Sequence, residues 1–237
     1  MTTNAPKVAI VTGGSQGIGA GLVDAYRQRG YNVVATSRSI TPSDQSEVVT
    51  VAGDIADSAT SDAVVKAALD RFRRIDTLIN NAGIFIAKPF TDYTADDYRR
   101  VLATNVNGFF NITQRTVPHL LGSGDGHVVT ITTTLVDYAD ARIPSVLASL
   151  TKGGLAAATR SLAIEYATRG LRVNAVAPGI TRTPLHHPST YEAVSTIQPN
   201  QKMSEVSDIV DAVMYLEGAP HVTGETLHVD GGQIAGR

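Results

Sequence analysis

The chain has 237 residues and no cysteine, with 20 Lys plus Arg against 22 Asp plus Glu and a formal charge of −2. Disulfides and thiolate chemistry are thereby excluded, and the near-neutral balance provides no electrostatic drive toward nucleic acid or an anionic membrane. The length suits one α/β unit that can bury its own core without a covalent staple.

Met1 to Lys7 is short and polar and lacks the apolar run of a signal peptide, and no apolar stretch approaches a membrane span. The expectation is a soluble cytoplasmic protein without a membrane partner. Residues 8–12 read as a first strand, followed by a helix over about 17–29 and strands at 32–36 and 47–51. Residues 58–72 have helical periodicity, and 76–79 read as a fourth strand. Thr94 reads as an N-cap, with Asp96 and Asp97 in the first turn where the helix dipole favours carboxylates. One long helix is then expected to run to Leu120. A fifth strand at 127–132, an Ala-rich helix at 145–168, a sixth strand at 172–177, a helix at 204–216 and a last strand at 226–229 complete the pattern. Strands apolar on both faces, separated by helices, predict an α/β fold: a doubly wound parallel sheet in a three-layer α/β/α arrangement of the Rossmann type, one domain over residues 1–237. Residues 178–203 are irregular for an unusual length and read as a substrate lid.

The first strand ends at Thr12 and runs into Gly13-Gly14-Ser15-Gln16-Gly17-Ile18-Gly19. Glycines there permit a sharp turn, close approach of the backbone to a pyrophosphate, and tight packing of the following helix on the sheet. The free N–H groups and the dipole of that helix then face the phosphates. The strand–turn–helix context is what turns a Gly-rich run into a dinucleotide-binding signal.

The Gly-x-x-x-Gly-x-Gly spacing after Thr12 resembles the short-chain dehydrogenase/reductase family. So do Asn80-Asn81-Ala82-Gly83 after the fourth strand, Asn105 in Asn105-Val106-Asn107-Gly108, and Lys152 in a long helix. Pro178-Gly179-Ile180-Thr181-Arg182-Thr183 and Asp230-Gly231-Gly232 extend the likeness over nearly the whole chain. The resemblance implies a nicotinamide dinucleotide held by Thr12, Gly13, Ser15, Gln16, Gly17, Ile18 and Gly19 at the turn. It adds Ser37 and Arg38 after the second strand, Asp54 and Ile55 after the third, and Asn81, Ala82 and Gly83 after the fourth. Lys152, Pro178, Gly179, Ile180 and Thr183 complete the set. The second strand ends without an acid for a ribose 2′-OH, and Arg38 could clamp a 2′-phosphate. NADP(H) is therefore favoured, with NAD(H) as the alternative.

The family's chemistry is reversible hydride transfer, with a Tyr four residues before the Lys moving the proton and a Ser orienting the substrate. In this chain that segment reads Ala148-Ser149-Leu150-Thr151-Lys152, and a methyl group transfers no proton. The catalytic set expected from the resemblance is Lys152, Asn105, Thr133 in place of the Ser, with Thr134 next, and Tyr138 as substitute acid. His186 and His187 in the lid are further candidates. A small-molecule substrate, partly apolar, is expected. Without a substitute acid, the chain would be a weak enzyme or a silent dinucleotide-binding sensor or scaffold. By the same resemblance, helices at 96–120 and 145–168 would pair between subunits in a homotetramer, with a dimer second.

Overall fold

Val8–Thr12 (β1), Asn32–Ser37 (β2), Val48–Ala52 (β3), Thr77–Asn80 (β4), His127–Ile131 (β5), Arg172–Pro178 (β6) and Thr226–Val229 (β7) form one parallel sheet. Its order is β3-β2-β1-β4-β5-β6-β7. This is a computed structural model that describes residues 5–236. Of the polar leader expected at residues 1–7, positions 1–4 lie outside the described residues. Parallel pairing holds at every edge, from Val33 opposite Val48 to Ala177 opposite His228. The chain leaves β1 toward β2 and β3, then returns to place β4 on the other side of β1. That reversal opens a crevice at the C-terminal ends of β1 and β4, where ligands settle in such sheets.

Helices cover both faces. Successive side chains of a strand point to opposite sides, so Val8 and Ile10 join one core while Ala9 and Val11 join the other. The first core is closed by Ser58–Phe72 (α2), Gly108–Ser123 (α4) and Val146–Tyr166 (α5), and the second by Gly17–Gln28 (α1) and Val206–Glu217 (α7).

Element bounds match the sequence expectation to within one or two residues, with two exceptions. The helix expected to run unbroken from residue 96 is three pieces: Ala95–Val101 (α3), a π-helical segment Leu102–Asn107, and α4. The apolar period does not register the one extra residue that a π turn inserts. The second exception is the lid, which holds a 3-10 turn at Pro188–Thr190 and a short helix Tyr191–Ser195 (α6). Thr94 does cap α3, and its hydroxyl accepts from Asp97 N while Asp97 accepts from Thr94 N.

The N-terminal end of the sheet is closed by a buried carboxylate that the sequence did not announce. Glu217 at the end of α7 accepts from Tyr26 and Tyr31 hydroxyls at 3.0 Å, from Thr77 Oγ1 at 3.1 Å and from His127 Nδ1 at 2.9 Å. Asn174 donates through Nδ2 both to Val222 O at 2.9 Å and to His127 Nε2 at 3.1 Å. Since Nε2 accepts, the imidazole is neutral with its proton on Nδ1. Burial pushes the His127 pKa down. Burial also opposes the charge on Glu217, but the bonds donated to it prevail and hold its carboxyl well below the usual range.

Candidate active site

The turn after β1 is shaped by what its glycines leave out. Gly13 has φ +68°, and a Cβ there would meet Asn81 Nδ2 at 2.8 Å. A Cβ on Gly19 would lie 2.0 Å from the Gly13 carbonyl oxygen, so α1 seats directly on the turn. Gln16 is the N-cap of α1 and makes no side-chain cap bond, and the first turn of the helix holds no acid. Its leading N–H groups are therefore left for an anion. Gly13, Ser15, Gln16, Gly17, Ile18 and Gly19 line a cleft of about 290 Å³ at the C-terminal edge of β1. Asn81, Ala82 and Gly83 line its far wall. Thr12 does not reach it. Its buried Oγ1 donates to Ile79 O at 3.1 Å and accepts from Asn81 N and Ala82 N at 3.0 Å, so Thr12 fixes the wall.

The other end of the cleft is the rim after β2 and β3. Ser37 and Arg38 line it together with Asp54 and Ile55. Ser37 Oγ is buried and unpartnered among the described residues. Arg38 is exposed and has no ion-pair partner among them. Asp54 is committed elsewhere in part, since its Oδ1 accepts from Ala56 N at 3.0 Å. An unused hydroxyl, an unused guanidinium, bare helix N–H groups and a glycine floor fit a phosphate-bearing dinucleotide.

A second cavity, of about 350 Å³, adjoins the first, and six residues line both: Ile18, Phe85, Ile131, Lys152, Thr183 and Leu185. Lys152 is the titratable one of the six. Its Nζ donates to Thr132 O at 2.9 Å and to Ile131 O at 3.3 Å, which holds it at the end of β5. Burial brings its pKa down to about 8. Thr133 lines the second cavity, and its hydroxyl accepts from Leu135 N at 3.4 Å. Pro178, Gly179 and Ile180 line the second cavity and not the Gly-rich cleft, whereas Thr183 lines both.

The remaining expected residues stand further back. Asn105 lies on the π segment and lines neither large cavity. It clasps Ile84, accepting from its N at 2.9 Å and donating to its O at 3.1 Å, and also donates to Thr151 Oγ1 at 3.1 Å. It positions the wall and α5. Tyr138 lines neither cavity; it follows the 3-10 turn Thr134–Val136, and its N bonds back to Thr134 O at 2.9 Å. Tyr138 stands beside Arg142 instead. Ala148 is 1 % exposed and also lines neither cavity. His187 caps the turn at Pro188–Thr190, its Nδ1 accepting from Ser189 N at 3.3 Å. His186 lines the second cavity, and its imidazole has no partner among the described residues.

Phe85, Arg142 and Gln233 are among the wall residues that the sequence reading does not anticipate. Gln233 follows the Asp230-Gly231-Gly232 signature, whose role explains how it arrives. Asp230 takes the backbone N–H groups of Gly232, Gln233 and Ile234 at 2.9–3.1 Å and so folds the segment against β6. No sequence signal apart from that adjacency would have found it.

A family model described as Enoyl-(Acyl carrier protein) reductase matches residues 13–233. The 3beta-hydroxysteroid dehydrogenase 1 of Eggerthella lenta is 32% identical over 252 residues, covering 95% of this chain and 93% of that protein. A crystal structure of 3-ketoacyl-(acyl-carrier-protein) reductase from Brucella melitensis complexed with NADH is 29% identical, with TM-score 0.87, covering 96% of this chain and 98% of that one. The structure of ElxO with NADP bound is 26% identical, with TM-score 0.90, covering 97% and 99%.

Proposed function

Because the chain belongs to the short-chain dehydrogenase/reductase family, we propose that it moves a hydride between NADP(H) and a small carbonyl or alcohol substrate, with Lys152 as its proton donor. The carrying observation is the position of Lys152, the titratable residue on the shared wall of the glycine cleft and the second cavity. The similar structures with NADH and with NADP support a nicotinamide cofactor. A bound nicotinamide supplies or takes the hydride. The chain's own groups do the rest. The turn and α1 bind phosphate. Ser37 and Arg38 favour a 2′-phosphate, which ranks NADP(H) above NAD(H). Thr133 orients the substrate, and Asn105 holds the wall behind Lys152.

In carbonyl reduction the Lys152 ammonium gives a proton to the oxygen that becomes the alcohol, and in the reverse direction the neutral amine takes it. Tyr138 was the acid expected from the sequence. Its place outside both cavities moves that role to Lys152. Exposed Phe110, Leu150 and Ile164 on α4 and α5, at 56, 58 and 78 %, support subunit pairing through those helices, as a homotetramer first and a dimer second.

A second reading, a dinucleotide-binding sensor or scaffold without turnover, draws on the lack of any phenol on either cavity's wall. Fluorescence titration with NADPH tests both, and binding in the micromolar range is expected. No binding below millimolar NADPH would remove the proposal. Binding without NADPH oxidation by any member of a ketone and aldehyde panel would select the second reading.

A further inference from the structure

The second cavity carries information about the substrate in its charges and in its unused hydrogen-bonding groups. Most of its wall is apolar, with Phe85, Ile131, Leu135, Ile143, Val194 and Ile197 among its lining residues. Two cations also line it: Lys152, which the proposed reaction places at the carbonyl oxygen, and Arg142, which is already paired. Arg142 Nε donates to both carboxylate oxygens of Asp140, at 2.9 and 3.1 Å, and its Nη2 donates to Oδ2 at 2.5 Å. Asp140 is almost fully buried, so the pair enters the wall as a neutral unit. His186 adds no charge near neutral pH, because burial pushes its pKa below the usual value.

Gln233 is different in kind. It is 3 % exposed, and its backbone N–H is taken by Asp230. Its carboxamide has no hydrogen-bond partner among the described residues, although the residue lines the cavity. An amide open to a cavity and without a protein partner must be met by water or by a ligand, and a ligand that covers it without bonding it leaves it unpaired, so the site discriminates in favour of ligands that satisfy it. The amide offers a donor and an acceptor without charge.

Resting on the proposed carbonyl chemistry, we infer that the substrate is an uncharged, mainly apolar carbonyl compound bearing a second hydrogen-bonding group, and that the Gln233 carboxamide reads that group. Gln233 is thus a specificity-determining residue, and Arg142, held by Asp140, does not act as an anion receptor.

Three bicyclic ketones of one shape test this: 2-tetralone, 6-hydroxy-2-tetralone and 6-carboxy-2-tetralone. Calorimetric binding is measured on the full chain with and without NADPH, and kcat/KM for NADPH oxidation is measured alongside. The hydroxy ketone is expected to bind about 3–10-fold tighter than the parent, the worth of one neutral hydrogen bond, and the carboxylate weaker than either. In Gln233→Leu the hydroxy-to-parent ratio should fall to about one. Gln233→Met, which keeps the side-chain volume, should do the same. Far-UV dichroism and melting curves confirm that both variants fold. A ratio unchanged in folded Gln233→Met, a preference for the carboxylate, or binding of none of the three overturns the inference. Failure to bind NADPH, with the ketone ratios as expected, would overturn the hydride-transfer proposal and leave the cavity's selectivity standing.

Discussion

Two side chains carry the proposed function, and both can be tested singly. Lys152 has its pKa brought to about 8 by burial. Reduction needs its protonated form, so the rate of carbonyl reduction should be flat below that value and fall as pH rises through it, while alcohol oxidation should rise over the same range. Lys152→Met should lower kcat by about 10²–10⁴-fold, the usual worth of a positioned acid, and remove that titration from the pH profile. Tyr138→Phe is the counter-test. A comparable loss there would return the proton to the phenol. Ala148 is nearly fully buried, and a larger side chain at that position would overpack the helix face. Arg38 is the second decisive residue. Kd values for NADPH and NADH should differ by about tenfold or more in favour of NADPH, as a charge-assisted contact to a phosphate allows. Arg38→Ala should bring the two together, and equal affinities in the unaltered protein would assign the rim to NAD(H).

At the scale of elements, the sequence was legible where one period or one cap rules. Ser58–Phe72 and Thr226–Val229 are located to the residue, and the Thr94 cap follows from a hydroxyl set just before two carboxylates in the first turn. The glycine spacing marked the cleft because only a missing Cβ lets α1 seat on the turn. The elements that place the chemistry were harder to see. A π turn adds one residue to a helix whose apolar stripe still looks continuous, so Asn105 was assigned to a regular helix, and its clasp on Ile84 was hidden. Tyr138 also stands apart from the place its sequence position suggests. Sequence distance from β5 suggests the cleft, and Thr134 and Leu135 of the 3-10 turn do line the second cavity, but Tyr138 itself lines neither cavity. Gln233, 81 residues from Lys152 in sequence, reaches the same cavity through a fold-back set by one aspartate, which no local pattern records.

For the whole molecule, chemistry and stability are tied to opposite ends of the sheet. The cleft opens at the C-terminal ends of the strands, while Glu217 gathers four donors at the N-terminal ends. An unfolded Glu titrates near ~4.3 and an unfolded His near ~6.5, and both pKa values are lower in the folded chain. The unfolded state therefore binds more protons at acid pH. The stability from this cluster is fully present above ~6.5 and is lost progressively as pH falls, first through His127 and then through Glu217. Glu217→Leu would leave Tyr26, Tyr31, Thr77 and His127 donating to nothing, at a cost of at least ~3 kcal/mol. A fall in Tm of roughly 6–12 °C should follow. Coincident melting curves for the two would show that the cluster is dispensable. The same carboxylate also has a place in time. Tyr26 precedes its acceptor by 191 residues, which at ribosomal speeds is a delay of roughly 10–40 s. For that interval the early strands of a nascent chain have donors at their base and nothing to receive them. The early part of this protein therefore lacks the acceptor for its buried donors until the last helix is made.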